Sequence, residues 1–174
     1  LDRPPEVVAR DVRIGATSVE IARRIYGVVV DSKTFALDAA ETEARRKEIR
    51  EQRLREGKRL APALPQTGKD RPWRRMLQIH ESLEIARDGS DSVIRCIRCG
   101  YLFCSPKENY KKFTVRRTVE LDQLALRPLP SGDPYMGHYH EYICPGCATL
   151  LQVDIYCPAL GGEEDLWDIA IRLE

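Results

Sequence analysis

The sequence lacks a dominant charge. Its 28 Lys+Arg stand against 27 Asp+Glu, a net charge of +1, so no global field draws it to nucleic acid or to an anionic membrane. It also lacks any apolar run near the roughly 20 residues that a bilayer crossing needs. With 32% of its residues charged, a soluble protein is expected, and no signal-like apolar stretch opens the sequence. Catalytic signatures are missing too: G-x-G-x-x-G, a Walker loop, G-x-S-x-G and H-E-x-x-H do not occur. No internal repeat of domain size and no low-complexity segment is present. At 174 residues the chain has room for one modest core and an appendage, and not for a large multidomain catalyst.

What the chain has instead is three stretches of different character. Pro4 and Pro5 precede a short helix over 6–12, which Gly15 is placed to stop. Thr17 with Glu20 reads as a capping box opening a second helix over 19–25, closed by Gly27. Val28, Val29 and Val30 then read as a short buried strand before Asp31. Asp38 and Glu41 repeat the capping logic and start a longer helix that runs to about Glu56. Between Glu41 and Leu60 the only apolar residues are Ala44, Ile49, Leu54 and Leu60, too few for a continuous buried stripe, so this helix is either solvated or laid across something larger. Pro62, Pro65, Gly68 and Pro72 follow and read as a linker that lets the arm move.

From Trp73 onward the pattern turns toward strands. Leu83, Glu84 and Ile85 alternate, residues 88–91 read as a turn, and residues 92–95 alternate again, a hairpin feeding the first cysteine pair; a helix over 76–86 is the alternative. A helical turn is expected over 106–112, a strand over 113–121, a loop over 128–134, a second hairpin from 139–143 and 150–156, and a closing helix over 166–173. The fold class is thus α+β: a helical arm over 1–60, a linker over 61–72 and a small antiparallel β-rich domain over 73–174.

Of the six cysteines, four form two C-x-x-C pairs, Cys96 with Cys99 and Cys144 with Cys147. A tight turn lets both sulfurs of such a pair reach one ion, and four soft thiolates with no open position make a structural zinc site rather than a catalytic one. Gly100 and Pro145 serve the two turns. Residues 100–143 separate the pairs, so the insert must carry structure of its own. Disulfide framing is disfavoured and a reducing cytoplasm expected. Dithiol redox chemistry usually needs one C-x-x-C within a βαβ pattern, which surrounds neither pair. Cys104 can replace Cys96 as a ligand or pack as a buried apolar thiol, and Cys157 reads the same apolar way. His138 and His140 alternate on one strand face, without a third ligand signal nearby, and His80 is remote. Glu163, Glu164, Asp165 and Asp168 read as the acidic start of the closing helix. No residue is assigned a catalytic role.

The run from Arg95 to Cys104, with Lys107, Asn109 and Lys111 after it and then Cys144, Pro145, Gly146 and Cys147, resembles the gamma subunit of acetone carboxylase and its relatives over residues 83–174. The arm, through Ala22, Arg23, Arg24, Ile25, Tyr26 and Gly27, resembles the C-terminal tail of hydantoinase-B-type large subunits. These resemblances imply a cytoplasmic complex with hydantoinase-A-like and hydantoinase-B-like large subunits, of the acetone or acetophenone carboxylase type, that carboxylates a ketone with bicarbonate at the expense of ATP. They further imply that ATP and a divalent metal sit on the partner subunits only, and that this chain supplies a structural zinc module for assembly. The rival is a free-standing zinc ribbon binding nucleic acid or a protein. Its best support is the basic group Arg95, Arg98, Lys107, Lys111, Lys112, Arg116 and Arg117, with Tyr101, Phe103 and Tyr110 interleaved.

Overall fold

The computed structural model describes residues 1–120, 131–133 and 137–157. The helix expected over 166–173 and its acidic start at Glu163, Glu164, Asp165 and Asp168 lie outside the described residues, as does most of the loop expected over 128–134. The chain divides into two compact units, Leu1–Arg55 and Glu56–Glu174.

In the first unit, helix α1 (Pro5–Arg13) begins with Pro5, whose missing N–H is harmless at a helix start, and with Glu6 in the first turn. Gly15, at φ +76°, carries the chain out of it. Helix α2 (Val19–Ile25) is capped by Ser18, whose hydroxyl accepts from the Ile21 N–H at 3.1 Å. The capping box expected at Thr17 is therefore displaced by one residue, because the extended backbone of Ser18 is what aims an oxygen at the third helical N–H. Strand β1 (Val29–Val30) pairs antiparallel with β2 (Leu37–Asp38). The Asp38 carboxylate then accepts from the Glu41 N–H at 2.9 Å and starts helix α3 (Ala39–Glu56). Val8, Ala9, Val12, Ala22, Val28 and Val30 form the core of this unit. Along α3 only Thr42 and Ile49 are buried; the Thr42 hydroxyl accepts from the Val29 N–H at 2.9 Å.

Among its described residues the second unit holds two four-stranded antiparallel sheets. One consists of β4 (Arg74–His80), β5 (Leu83–Asp88), β6 (Asp91–Cys96) and β7 (Leu102–Cys104), in that order. The other runs β10-β9-β8-β3, from β3 (Lys58–Arg59), β8 (Val115–Glu120), β9 (His138–Ile143) and β10 (Leu150–Tyr156). The helical alternative for 76–86 gives way to the β4–β5 hairpin. The period decides it: Leu83 and Ile85 enter the main core, while Ala86 joins Trp73, Val93 and Leu102 in a second cluster. The Pro-rich stretch is fastened at several points. Lys58 and Arg59 pair with Arg116 and Val115, and the Leu64 N–H donates to the Phe103 carbonyl at 3.3 Å. The Gln66 amide donates to the Leu102 carbonyl at 2.9 Å and accepts from its N–H at 3.1 Å.

One buried charge sits inside this frame. Glu84, 2% exposed, is clamped by Arg75 and by its cross-strand partner Arg95, whose Nε donates at 2.6 Å. Burial alone would raise its carboxyl, but the hydrogen bonds from Arg75 and Arg95 outweigh it and hold the group below the usual carboxylate value. A carboxylate depressed in the folded state stabilises fully above its unfolded range, near about 4.3, and loses that contribution as pH falls through the folded value. Glu84→Gln is therefore expected to cost about 2 kcal/mol at pH 7 and less at a pH below about 4. Denaturant titrations of both proteins at the two pH values check this, and a pH-independent deficit would contradict it.

Candidate metal centre

Two turns with the same backbone plan carry the four cysteines. In the first, Cys96 ends β6, its N–H donates to the Tyr101 carbonyl at 2.9 Å, and its carbonyl accepts from the Gly100 N–H at 2.9 Å. In the second, at the end of β9, the Cys144 N–H donates to the Thr149 carbonyl and its carbonyl accepts from the Ala148 N–H, both at 2.9 Å. Gly100 (φ +71°) and Ala148 (φ +57°) occupy the same position, four residues after the leading cysteine, and both are left-handed. Glycine meets that demand freely at 100. Alanine meets it at a cost of about 1 kcal/mol, so 148 carries a backbone requirement that its residue type does not advertise.

These turns bring the Sγ atoms of Cys96, Cys99, Cys144 and Cys147 within 4.8 Å of one another. Cys96 lies 3.9 Å from Cys147 and Cys99 lies 3.7 Å from Cys144. A disulfide needs about 2.05 Å, so these are free thiols. A tetrahedron with each sulfur about 2.3 Å from a central ion has edges of about 3.8 Å, which lies between those two distances. The arrangement can therefore hold a metal ion.

Electrostatics fit the same description. The thiols share their protons unevenly. Cys147 is pulled well below the thiol range by hydrogen bonds from Cys144, Cys96 and Cys99, with the Thr149 hydroxyl 3.2 Å from its sulfur. Cys96 falls to about 7, chiefly through Cys144. Cys144 is pushed up by Cys147, Cys96 and Cys99 in turn, and for Cys99 the bond to Cys144 is outweighed by those to Cys147 and Cys96 and by burial. Acidic groups crowded this closely ionise at one another's expense, and four thiolates together require a cation.

The remaining sequence candidates fall elsewhere. Cys104 is fully buried in the main core, its sulfur 3.9 Å from the Glu108 carbonyl, and burial pushes its thiol up to about 12. It lies outside the four-sulfur group, as does half-buried Cys157. His138 and His140 do share a face, but their rings pack on each other at 4.9 Å, and His140 stacks on Tyr156 at 5.4 Å. Among the described residues neither joins a metal-binding group.

The basic group read as a nucleic-acid face is broken up. Arg95 is committed to Glu84, Arg117 bonds Glu141 at 2.8 Å and Glu56 at 2.9 Å, and Lys111 is fully buried against Asp154. Tyr101 and Phe103 are core residues, packed edge to face at 5.1 Å. Arg98, Lys107 and Lys112 stay exposed, but Tyr101 and Phe103 are buried and Tyr110 is half-buried, so the exposed cations lack the exposed rings that a single-strand-binding surface sets beside them.

Gly146 was not singled out by sequence reading, although its place in Cys-Pro-Gly-Cys is visible. A Cβ there would lie 2.9 Å from the Cys99 sulfur and 3.1 Å from the Tyr101 Cβ. The second turn thus approaches the first through a glycine.

A small antiparallel body closed by four thiols from two turns is zinc-ribbon-like, within an α+β chain. A family model described as "Acetone carboxylase gamma subunit" matches residues 73–167, more than half of the chain, and the chain belongs to that family. Comparison with curated proteins finds no match.

Proposed function

We propose that this chain is the small zinc-binding structural subunit of a multi-subunit ATP-dependent ketone carboxylase of the acetone or acetophenone type. The observation that carries the reading is the convergence of the four sulfurs, in a chain of this family, at separations that fit a tetrahedral ion. Cys96, Cys99, Cys144 and Cys147 are the ligands, and zinc suits four soft thiolates. Such a site leaves no open position for substrate or water, so the metal's work is to hold the two hairpins together. In this reading the chemistry lies on large hydantoinase-A-like and hydantoinase-B-like partners. They carry ATP, a divalent metal and the substrate, and activate ketone enolate and bicarbonate by phosphorylation. The likeness of the arm to a hydantoinase-B tail supports docking of residues 1–60 onto a large subunit. Free thiols that are not paired in disulfides support a reducing, cytoplasmic setting, and no helix among the described residues is long and apolar enough to cross a membrane.

Purification of the tagged chain from native extract tests the reading. The expected result is large partners at a fixed ratio and about one zinc per copy of this chain; a chain recovered alone and metal-free would sink it. Removal of residues 1–55 should leave the second unit folded, since the β3–β8 pairing stays within it, and should weaken capture of the large partners at least tenfold. Capture at full strength by the truncated chain would rule out the docking role of the arm.

A further inference from the structure

Lys111 is fully buried, an expensive place for an ammonium group. Its Nζ donates to the Asp154 carboxylate at 2.8 Å and lies 5.1 Å from the centroid of the Tyr142 ring. The residues around it are arranged to keep it there. The Asn109 side chain accepts from the Lys111 N–H at 3.0 Å and caps a 3-10 turn (Tyr110–Phe113). The buried Thr114 hydroxyl donates to the Lys111 carbonyl at 2.7 Å. That turn packs beside β7, where the Tyr110 ring meets Phe103 edge to face at 6.5 Å.

Asp154 and Tyr142 belong to the second half of the thiol centre, and Lys111 to the turn that joins β7 of the first half to β8, which pairs with β9. Lys111 is fixed to the structure that follows the first turn, since Phe103 in β7 stands four residues beyond Cys99 and packs on Tyr101. Asp154 is on β10 and Tyr142 on β9, the strands that carry Cys144 and Cys147 between them. Tyr142, itself 1% exposed, precedes Cys144 by two residues. A buried ion pair seldom adds stability over well-packed apolar residues of the same size; what it can add is a single allowed arrangement. The shared core already packs the hairpins together; a directional N–H···O contact from a fully buried ammonium adds a fixed register to that packing.

We propose that Lys111, with Asp154 and Tyr142, is a positioning element of the metal centre: it locks the second hairpin against the first so that the four sulfurs are held at bonding distance of one ion. The inference rests on the metal-site reading above. In this role the lock is a second cross-link between the hairpins, independent of the ion, and it slows ligand loss by keeping a detached sulfur next to the metal.

The test is metal release from the full-length protein to a chromogenic chelator, read beside thermal melting followed by circular dichroism. Lys111→Met/Asp154→Leu replaces the pair by apolar side chains. It is expected to melt within a few degrees of wild type, yet to release metal at least tenfold faster and to shift the visible bands of the cobalt-substituted site. Lys111→Arg, which keeps the charge and the donors, is expected to stay within about threefold of wild type. Should the double variant fail to fold, Asp154→Asn, at a position whose side chain is 23% exposed, is read by the same criterion. A folded variant lacking the ion pair that releases metal at the wild-type rate overturns the lock while leaving the metal site standing. Wild-type protein that holds no metal overturns both.

Discussion

Cys99→Ser and Cys147→Ser are each expected to abolish stoichiometric metal binding and to destabilise the Glu56–Glu174 unit by about 5 kcal/mol, because the energy of a structural thiolate site is folding energy. The core explains the size. Cys96 and Cys144 are buried among Leu83, Ile85, Ile94, Phe103 and Leu151, with Cys99 and Cys147 packed against the cluster. Losing the ion leaves the remaining thiols crowded within 4.8 Å of one another in that core, where they cannot all ionise and cannot all be satisfied. Elemental analysis and denaturant unfolding of wild type and variants measure the effect. Cys104→Ala serves as the control, since its sulfur lies outside the group and the metal should stay. A metal-free serine variant that melts like wild type would refute the reading.

Gly146→Val is expected to cost about 3 kcal/mol and to lower metal occupancy, because overpacking at a close approach forces backbone to move. The first added carbon would already lie 2.9 Å from the Cys99 sulfur and 3.2 Å from the Tyr101 Cδ2. Neither is the free end of a flexible chain: one is a thiol of the centre and the other a ring atom in the core. Relief therefore has to come from separating the two turns, which pulls Cys144 and Cys147 away from Cys96 and Cys99. Metal content and urea midpoints of the valine variant check this. Full occupancy at an unchanged midpoint would show that the turns do not depend on this contact.

Local readings along the chain succeeded where the determinants lie within a few residues. The β5–β6 and β9–β10 hairpins follow from alternation and turn chemistry, Asp38 does cap α3, and the spacing of the cysteines anticipates turns that hold two sulfurs each. The α+β class follows from these. Where two residues both satisfied a local rule, the tertiary structure chose between them. Thr17 and Ser18 both satisfy a cap, and only the backbone angles choose Ser18. For 76–86 the alternating reading holds over the helical alternative, and the pairing of β5 with β6, a partner outside the window, agrees with it. Ala148 gives no sign in its residue type of a left-handed backbone, because the demand comes from the turn's hydrogen bonds.

By itself the sequence determined the chemistry available to this protein: soft thiols in two tight turns, almost no net charge, no nucleophile motif and the phrases that place it in its family. Which side chains meet was decided only by the tertiary structure. Lys107, Lys111, Arg95 and Arg117 look alike as letters, yet folding buries one against Asp154 and commits two to Glu84 and Glu141. Burial and pairing depend on strands distant in the chain, and a charge acquires its role from whatever the fold brings within about 3 Å of it.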